Sequence, residues 1–463
     1  MSALWTLRQI ASATGATAAR DGDVGGVSID TRTLKPGDLF VALKDVRDGH
    51  EFVSDALARG AAAALVSREV AGAASEKLIR VGDTLSALEA LGRARRADVR
   101  GRIAAVTGSV GKTSTKEALR HLLSLQGRTH ASAASYNNLW GVPLSLARMP
   151  VDTQYGVFEI GMNHADEITP LTAQVRPHVA VVTTVAAVHL ENFGSVAGIA
   201  DAKGEIFSGL EGGGVAVING DIEWCERLRG HAANASRVVM FGRSATCDVR
   251  LTSLDLHEEY SDVAVSFFGD TLRYRIGAPG EHWAMNSLAV LAVVSALGGD
   301  AARAAGDFAS LSALAGRGAR QRIVSERGAF ELIDESYNAN PLSMAAAIAN
   351  LARTAPGAGG RRIAVLGDML ELGPTGPELH AGLAAPLAEH GIDLVFASGP
   401  LMHHLWPAIA VRQRGGYAGA SAEIAEAVAA QVRAGDVVMI KGSNGSKMSV
   451  VVEALRRLAV TEQ

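Results

Sequence analysis

A glycine-rich loop between an apolar strand and an amphipathic helix constrains this chain more than any other feature. The stretch IAAVTGSVGKTSTKEALRHLL runs from Ile103 to Leu123, and its second half places Ala118, Leu119 and Leu122 on one helical face. Glycines allow successive backbone N-H groups to point at a phosphate, and the helix N-terminus adds partial positive charge. We predict a strand, a phosphate-binding loop and a helix.

The side chains after the loop indicate a nucleotide with a metal ion. Lys112 can reach the outer phosphates and Thr113 can bind Mg²⁺. The full pattern G-x-x-x-x-G-K-[ST] requires glycine where Val106 stands, so this is the shorter variant G-x-x-G-K-T. The alternative is a glycine-rich turn before a helix.

Length and composition define a globular protein of several domains. At 463 residues the chain is too long to fold around a single hydrophobic core. At ~150 residues per domain, this length predicts about three domains. It is 48% hydrophobic and 20% charged, which is typical of soluble globular proteins. Lys+Arg 44 against Asp+Glu 48 gives a net charge of -4, which supplies no general attraction to nucleic acid or anionic lipid.

The cysteines and the N-terminus indicate a cytoplasmic location. Cys225 and Cys247 are too few for a disulfide framework, and we expect them to be unpaired in a reducing compartment. The first residues lack the basic and apolar segments of a signal peptide, and no run is long enough for a membrane span.

The strand and helix patterns predict an α/β protein with domains at 1–97, 98–315 and 316–463. The second segment alternates β-rich runs with helical stretches, which favours a largely parallel sheet with helices on both faces. Gly269-Asp270 separates two strand-like runs and predicts a hairpin. The third segment repeats the α/β rhythm without a phosphate loop, so it could close over a nucleotide held by its neighbour.

Several isolated side chains are candidates for chemistry. Glu159 ends an apolar run, where a carboxylate could bind Mg²⁺; the alternative is a solvated surface group. His189 also follows a strand, although a lone histidine is commonly packed or solvated. Lys203 would by default be a solvated helix lysine.

Three polar clusters have both a functional and a structural interpretation. In DESYNANP, Asp334 could accept from ribose hydroxyls while Asn338 and Asn340 donate to phosphate or substrate; the alternative is an Asx-rich turn. Three nearby arginines could stabilise a transferring phosphoryl group or form a solvated basic turn: Arg317, Arg320 and Arg322. The third cluster gathers two hydroxyls, a carboxylate and a guanidinium, and by itself such a cluster is usually a solvated turn: Ser28, Asp30, Thr31 and Arg32.

The ordered motifs together resemble the Mur ligase family over nearly the whole chain. They are SIDTR, PGDLFVAL, DGHEF, TGSVGKTSTKE, YNNLWGVP, GMNHADEI, VHLENFG, AKGEIF, DESYNANP and VLGDMLELG. The resemblance implies three domains, with a central P-loop parallel-sheet domain and a C-terminal Rossmann-like domain. It also implies an amide ligase that uses ATP and Mg²⁺ to convert a carboxylate into an acyl phosphate. DESYNANP is most similar to members that add D-alanyl-D-alanine to UDP-N-acetylmuramoyl-tripeptide, and we expect a monomer.

The resemblance also implies roles for individual residues. The ATP-binding set is Gly108, Ser109, Val110, Gly111, Lys112, Thr113, Ser114, Asn286, Arg317 and Asp334. The magnesium set is Thr113, Glu159, His189 and Lys203, of which Lys203 matches a lysine that is carbamylated in several members. The catalytic set is Lys112, His189 and Lys203, and the substrate set is Ser28, Asp30, Thr31, Arg32, Asn137, Asn138, Asn338 and Asn340.

The sequence departs from the family pattern at four positions. Asp45 and Asp166 stand where glycine is usual, Trp283 replaces the first Asn of H-N-x-x-N, and Asn444 replaces Arg in K-G-S-R. We therefore assign no substrate-binding arginine near the C-terminus.

Two other functions were weighed. The related ligase that adds the third peptide residue carries a D-N-P-R motif, which is absent here. A nucleotide-dependent switch without ligase activity would be favoured by N-K-x-D, which is also absent.

Overall fold

The structure is a computed structural model that describes residues 3–133, 135–188 and 190–460. It contains three larger β-sheets and one two-stranded sheet within these residues. We call the segments around the larger sheets the N-terminal part (residues 5–98), the central part (102–307) and the C-terminal part (316–456). The predicted domain bounds themselves remain predictions.

The N-terminal part is a small parallel sheet flanked by helices. Its elements are β1 Trp5–Thr6, α1 Leu7–Thr14, β2 Asp23–Val24, β3 Gly26–Ser28, β4 Asp38–Val41, α2 Val53–Ala58, β5 Ala63–Val66, β6 Leu78–Arg80 and α3 Thr84–Asp98. Strands β3 to β6 pair in sequence order and are all parallel. Every residue of β4 and β5 is buried, as expected for a sheet covered on both faces.

The central part holds a nine-stranded sheet. Its elements are β7 Arg102–Thr107, α4 Lys112–Ser124, β8 Thr129–Ala131, α5 Gly141–Ala147, β9 Tyr155–Glu159, α6 Ile168–Val175, β10 Val179–Val182, α7 Leu190–Phe193, α8 Val196–Gly204, β11 Val215–Asn219, α9 Cys225–His231, β12 Arg237–Gly242, β13 Val249–Leu256, β14 Ser261–Phe267, β15 Asp270–Ile276, α10 Glu281–Ala296 and α11 Ala301–Asp307.

The strand order of this sheet places β7, the strand before the phosphate loop, third from the β8 edge. The order is β15-β14-β13-β12-β11-β10-β7-β9-β8, with β8 to β13 parallel and the β13-β14-β15 hairpins antiparallel. Strand β7 lies between β10 and β9, so the loop after β7 meets the ends of both. The hairpin predicted at Gly269-Asp270 is confirmed, with Asp270 as the first residue of β15. The helix that follows the hairpin, α10, is largely buried.

The C-terminal part is a second, mostly parallel sheet. Its elements are β16 Ala319–Ser325, β17 Gly328–Glu335, α12 Pro341–Arg353, β18 Arg362–Gly367, α13 Gly376–Ala381, α14 Ala384–Glu389, β19 Leu394–Ser398, β20 Arg414–Ala418, α15 Ser421–Gln431, β21 Val437–Lys441 and α16 Ser449–Arg456. The order is β16-β17-β21-β18-β19-β20, and only β16 is antiparallel.

The basic cluster before DESYNANP is part of this sheet, so the turn interpretation is wrong for two of its arginines. Arg320 and Arg322 lie on the antiparallel edge strand β16. Arg320 donates to Glu331 Oε1 at 2.9 Å and to Thr354 Oγ1 at 2.8 Å, while Arg322 is exposed. Among the described residues neither arginine bonds to the phosphate loop, in contrast to Arg317.

The N-terminal and central parts share one hydrophobic core. Leu144 and Ala147 of α5 are buried among the apolar residues of the N-terminal sheet. The indole N-H of Trp5 donates to the Ala147 carbonyl at 2.8 Å, and Arg96 of α3 donates to the Val175 carbonyl at 2.7 Å. These contacts fix the first sheet against the second. None of the described helices is both long enough and apolar enough to cross a bilayer.

Candidate active site

The phosphate loop takes its shape from two glycines with positive φ. Gly108 has φ +149°, and a Cβ there would lie 1.9 Å from Thr183 Oγ1. Gly111 has φ +88°, and a Cβ there would lie 2.8 Å from Asn286 Oδ1. Any side chain at either position would therefore collide with a neighbour or strain the backbone. The second contact also places Asn286 directly beside the loop, although α10 is far from it in sequence.

The start of the loop is fixed by the segment after β10. Ser109 donates its backbone N-H to the Thr184 carbonyl at 2.8 Å and its hydroxyl to the Ala186 carbonyl at 3.0 Å. Thr183 Oγ1 donates to the Val110 carbonyl at 2.6 Å. Ser109, expected to contact phosphate, therefore uses both donors to hold the loop in place.

The end of the loop leaves donors free for an anion. The backbone N-H groups of Val110, Gly111, Lys112 and Thr113 have no acceptor among the described residues, as is usual where a helix begins. Lys112 Nζ folds back to the Gly108 carbonyl at 2.6 Å. Burial lowers the pKa of Lys112, Glu159 partly opposes that shift, and Arg317 adds to it. The loop is thus a compact cradle of positive charge and N-H donors.

Glu159 lies at the carboxyl end of β9, in register with Val106 of β7. Its side chain is buried, with 1% of the residue exposed. Asn137 Nδ2 donates to Oε1 at 2.8 Å, whereas Oε2 has no hydrogen-bond partner among the described residues. A buried carboxylate oxygen without a partner carries a large desolvation cost, which a bound cation would offset. The surface-group alternative for Glu159 is therefore wrong.

Lys203 is buried rather than solvated, with 2% of the residue exposed on α8. Its ammonium has no hydrogen bond or ion pair with any residue in the described ranges. Burial lowers the pKa of Lys203 well below its usual value, and repulsion from Lys112 lowers it further. Both effects disfavour the charged form of the Lys203 side chain.

The metal-ligand candidates contain few acidic groups. Within the described ranges no three His, Cys, Asp or Glu side chains form a metal-binding group. Thr113, Glu159 and Lys203 are described, and His189 lies outside the described residues. A cation here would depend on Glu159 together with hydroxyl, phosphate or modified-lysine oxygens.

Arg317 brings the C-terminal part to the phosphate loop. Its Nη2 donates to Thr113 Oγ1 at 3.0 Å, across 204 residues of sequence. Its guanidinium lies 4.3 Å from the centre of the Tyr337 ring. Arg317 thus joins the loop residues in one site.

Asp334 is held inside the C-terminal part. Its Oδ1 accepts from the backbone N-H of Ser336 at 3.1 Å and from the Ser336 hydroxyl at 2.6 Å. Its Oδ2 lies 3.5 Å from Arg456 Nη2, and 5% of the residue is exposed. These partners orient the carboxylate at the end of β17, beside the turn that carries Arg317.

Of the four asparagines predicted to bind substrate, three bond to nearby backbone N-H groups and one bonds to another candidate residue. Asn340 caps α12 by accepting from Ser343 N at 2.9 Å, which is the role that Asn-Pro before a helix indicates. Asn138 Oδ1 accepts from the backbone N-H of Gly141 at 2.9 Å. Asn338 Oδ1 accepts from the next backbone N-H, of Ala339, at 2.9 Å. Asn137 is the member that touches another candidate, Glu159.

The polar loop after β3 is organised by Asp30. The carboxylate accepts from the Arg32 guanidinium, with Nη2 to Oδ2 at 2.6 Å, and from the Arg32 backbone N-H. This pairing lowers the pKa of Asp30. Ser28 is buried and donates to the Asp30 carbonyl at 3.0 Å. Arg32 is largely exposed, and Thr31 lies between these two paired residues.

One departure from the family pattern has a clear structural result. Asp166 adopts φ +65°, the left-handed region that glycine enters most easily. The Glu205 carboxylate stabilises this backbone conformation, because it accepts from the backbone N-H groups of Asp166 at 2.7 Å and Ile168 at 3.1 Å. Sequence reasoning assigned no role to Glu205, although its place two residues after Lys203 was a signal.

A phosphate loop in a parallel sheet, completed by an arginine from a second α/β unit, defines a nucleotide-dependent enzyme. Three family models match the chain: Mur ligase family, catalytic domain, over residues 23–96; Mur ligase middle domain over 106–294; and Mur ligase, glutamate ligase domain, over 319–444. The chain belongs to the Mur ligase family.

The similarity to individual members of the family extends over nearly the full length of this chain. The UDP-N-acetylmuramoyl-tripeptide:D-alanyl-D-alanine ligase of Escherichia coli is 36% identical, and the match covers 93% of each chain. The ligase of the same name from Rickettsia prowazekii is 30% identical over 97% of this chain and 99% of its own. The MurF crystal structure from Acinetobacter baumannii superposes with a TM-score of 0.85 at 29% identity, covering 98% and 99%. The Thermotoga maritima MurF in complex with ADP gives 0.77 at 27%, covering 94% and 97%.

Proposed function

We propose that this chain is the ATP-dependent ligase that joins D-alanyl-D-alanine to UDP-N-acetylmuramoyl-tripeptide in peptidoglycan precursor synthesis. The observation that carries the proposal is full-length similarity to ligases of that name, up to 36% identity. The site supports it, because its donors and cations converge where phosphate charge would develop. We place the reaction in the cytoplasm, where two free cysteines are compatible with a reducing medium.

The chemistry requires activation of a carboxylate, because its oxygen is a poor leaving group. A carboxylate oxygen of the tripeptide attacks the γ-phosphorus of ATP, which gives an acyl phosphate and ADP. The dipeptide amine then attacks the acyl carbon, loses a proton and expels inorganic phosphate. The protein contributes mainly positioning and charge stabilisation, as in other phosphoryl transfers.

The phosphate loop would hold the β- and γ-phosphates. The N-H groups from Val110 to Thr113 have no acceptor among the described residues and would donate to the phosphates, and Lys112 Nζ would leave the Gly108 carbonyl to meet the transferring oxygens. Ser114 follows within the first helical turn and is nearly buried. Arg317 would neutralise charge on the far side of the same phosphates.

The residues present fit Mg²⁺. Glu159 Oε2 is buried without a partner, and Thr113 Oγ1 lies at the loop, so both would hold the cation. His189 is retained as a proposed neighbour from the family resemblance. The ion would neutralise phosphate charge during transfer.

The state of Lys203 supports the proposed carbamate. A neutral amine is the form that reacts with CO₂, and burial beside Lys112 favours that form. Carbamylation would convert the amine into an anionic carbamate, which Lys112 would attract rather than repel. The modified side chain would supply oxygen to a second magnesium ion.

The remaining candidates would bind the ends of the substrates. Asn286 beside Gly111 and Asp334 at the end of β17 would contact the nucleoside. The loop from Ser28 to Arg32 would hold the uridine end. Four asparagines complete the proposed substrate set: Asn137, Asn138, Asn338 and Asn340.

A panel of acceptors tests the proposal. Phosphate release from ATP should be fast only when UDP-N-acetylmuramoyl-tripeptide and D-alanyl-D-alanine are both present, and the product mass should equal their sum minus water. UDP-N-acetylmuramoyl-dipeptide with a single amino acid is the matched control for the ligase that adds the third residue. Equal release without the dipeptide would contradict the proposal.

A further inference from the structure

Tyr337 lies where the C-terminal part meets the central part. It follows β17, and its hydroxyl hydrogen-bonds to Ser135 Oγ in the loop between β8 and α5. The face of its ring lies under the Arg317 guanidinium, 4.3 Å away. One side chain therefore contacts both the opposing loop and the arginine that reaches Thr113.

Arg317 and Tyr337 are built as one unit. Arg317 stands between Gly316 and Gly318, which have φ +73° and +95°. Gly318 N donates to the Asp334 carbonyl at 2.8 Å, and Tyr337 N donates to the Gly316 carbonyl at 3.1 Å. A Cβ at Gly316 would lie 2.9 Å from Tyr337 Cβ, so the turn packs directly on the tyrosine.

The stack determines where the guanidinium can point. Arg317 has no carboxylate partner in the described part of the chain, and its guanidinium donates to Thr113 Oγ1. A planar guanidinium on an aromatic face keeps its edge N-H groups free to donate in the plane. The ring thus restricts Arg317 to the orientation that faces the phosphate loop.

The hydroxyl bond links this unit to the metal-binding side of the site. Ser135 precedes by two residues Asn137, whose amide holds Glu159. Tyr337 and Ser135 would separate if the C-terminal part moved away from the central part. The bond therefore forms only when the two parts are together.

We propose that Tyr337 is a positioning residue that couples closure of the C-terminal part to placement of Arg317 at the phosphate loop. Its ring supports the guanidinium, and its bond to Ser135 favours the closed arrangement. The predicted effect on ligation rests on the proposed function. The predicted effect on nucleotide binding depends only on the contact between Tyr337 and Arg317.

The hydroxyl is tested with Tyr337→Phe, Ser135→Ala and the double variant. Each single change should lower kcat/KM by about five-fold, the scale of one lost hydrogen bond, and the double variant should lose no more than either. Melting temperatures should stay equal to that of the parent chain. Tyr417→Phe removes a tyrosine hydrogen bond to the Gly399 carbonyl within the C-terminal part and should leave kcat/KM unchanged.

The ring is tested with Tyr337→Leu against Tyr337→Phe. Leucine removes the platform and should lower kcat about 100-fold, the scale of a misplaced group, whereas phenylalanine keeps the ring and should lose only the about five-fold expected for the hydroxyl. Binding of a non-hydrolysable ATP analogue gives a second readout without ligase substrates. Leucine should weaken that binding as much as Arg317→Ala, and the two changes together should not add.

The outcomes separate the two proposals. If the parent chain fails to ligate the dipeptide but the analogue-binding pattern is as stated, the proposed function fails and the role of Tyr337 stands. Additive effects of Tyr337→Leu and Arg317→Ala, or additive effects of Tyr337→Phe and Ser135→Ala, would overturn the role of Tyr337. Parental analogue binding by Tyr337→Leu would overturn it as well.

Discussion

Asn137 donates to only one oxygen of the Glu159 carboxylate, through Nδ2 to Oε1 at 2.8 Å, and leaves Oε2 without a partner among the described residues. This asymmetry orients the carboxylate, since the bonded oxygen fixes the plane of the group. The open oxygen then faces the site at the end of β9. Such support of a metal ligand by a neighbouring amide is common in metalloenzymes.

Replacing Asn137 should weaken magnesium binding without unfolding the chain. In Asn137→Ala, Glu159 loses its orienting donor, so half-maximal activity should need about 10- to 100-fold more Mg²⁺. Titration of initial rates with MgCl₂ measures the shift. Asn138→Ala, which loses a turn bond to Gly141, is the neighbouring control. An unchanged Mg²⁺ requirement in Asn137→Ala would refute the orienting role.

Lys112→Ala should reduce turnover by about 100- to 1000-fold, because a buried cation that stabilises the transferring phosphoryl group is lost. Steady-state phosphate release measures the change, and circular dichroism reports the fold. Lys77→Ala, in the N-terminal part, is the control for loss of a lysine. Parental turnover in a natively folded Lys112→Ala protein is incompatible with the proposed role.

Lys203→Ala should lose about 100-fold in activity and regain part of it with short carboxylic acids such as acetate or propionate. The acid would occupy the space of the missing carbamate and supply its carboxylate. Lys112→Ala should not respond to the same acids, since that residue acts as a cation. Failure of every acid to rescue Lys203→Ala would remove the carbamate from the mechanism.

Stability should fall in mild acid because of His178. Burial, together with Arg102 and Arg96, lowers the pKa of His178 from 6.5 to about 4, and its Nδ1 accepts from the Ile103 backbone N-H at 3.0 Å. Since the unfolded chain binds the proton first, the stabilisation is complete above pH 6.5 and is lost as pH falls toward 4. The slope from this group is at most about 1.4 kcal/mol per pH unit.

Urea unfolding at pH 7 and pH 5 measures this dependence. His178→Asn keeps an acceptor that does not titrate, so the difference between the two pH values should shrink. His164→Asn changes an exposed histidine and should leave the difference as in the parent. A His178→Asn protein with the parental pH dependence would assign the acid sensitivity to other groups.

Local patterns were sufficient for the elements with strong periodicity. The apolar run before Gly108 became β7, and the face defined by Ala118, Leu119 and Leu122 is buried in α4. Short or partly polar strands were missed: β8 has three half-buried residues, and β20 contains two glycines. Neither has the alternation on which strand prediction depends.

The site itself could be predicted only in part, because its key contacts join distant segments. Thr113 was a candidate from its motif, but its contact with Arg317 depends on how two sheets pack. Ser135 and Tyr337 gave no separate signal, since a serine or tyrosine beside a turn is common. Asn340 was considered only as a donor or as part of an Asx-rich turn, whereas the structure shows it as the N-cap of α12.

Leu144 and Ala147 belong to the central part but are buried in the core of the N-terminal part. This shared core limits the positions at which recombination with a homologue would leave a well-packed protein. A crossover near Val99 would pair an N-terminal sheet from one parent with an α5 from another, and their mismatched side chains would leave voids in a shared interior. A crossover near Gly316 meets mainly polar contacts, such as Arg317 with Thr113 and Tyr337 with Ser135. Recombination between homologues should therefore preserve function more often when the N-terminal and central parts come from one parent and only the C-terminal part is exchanged.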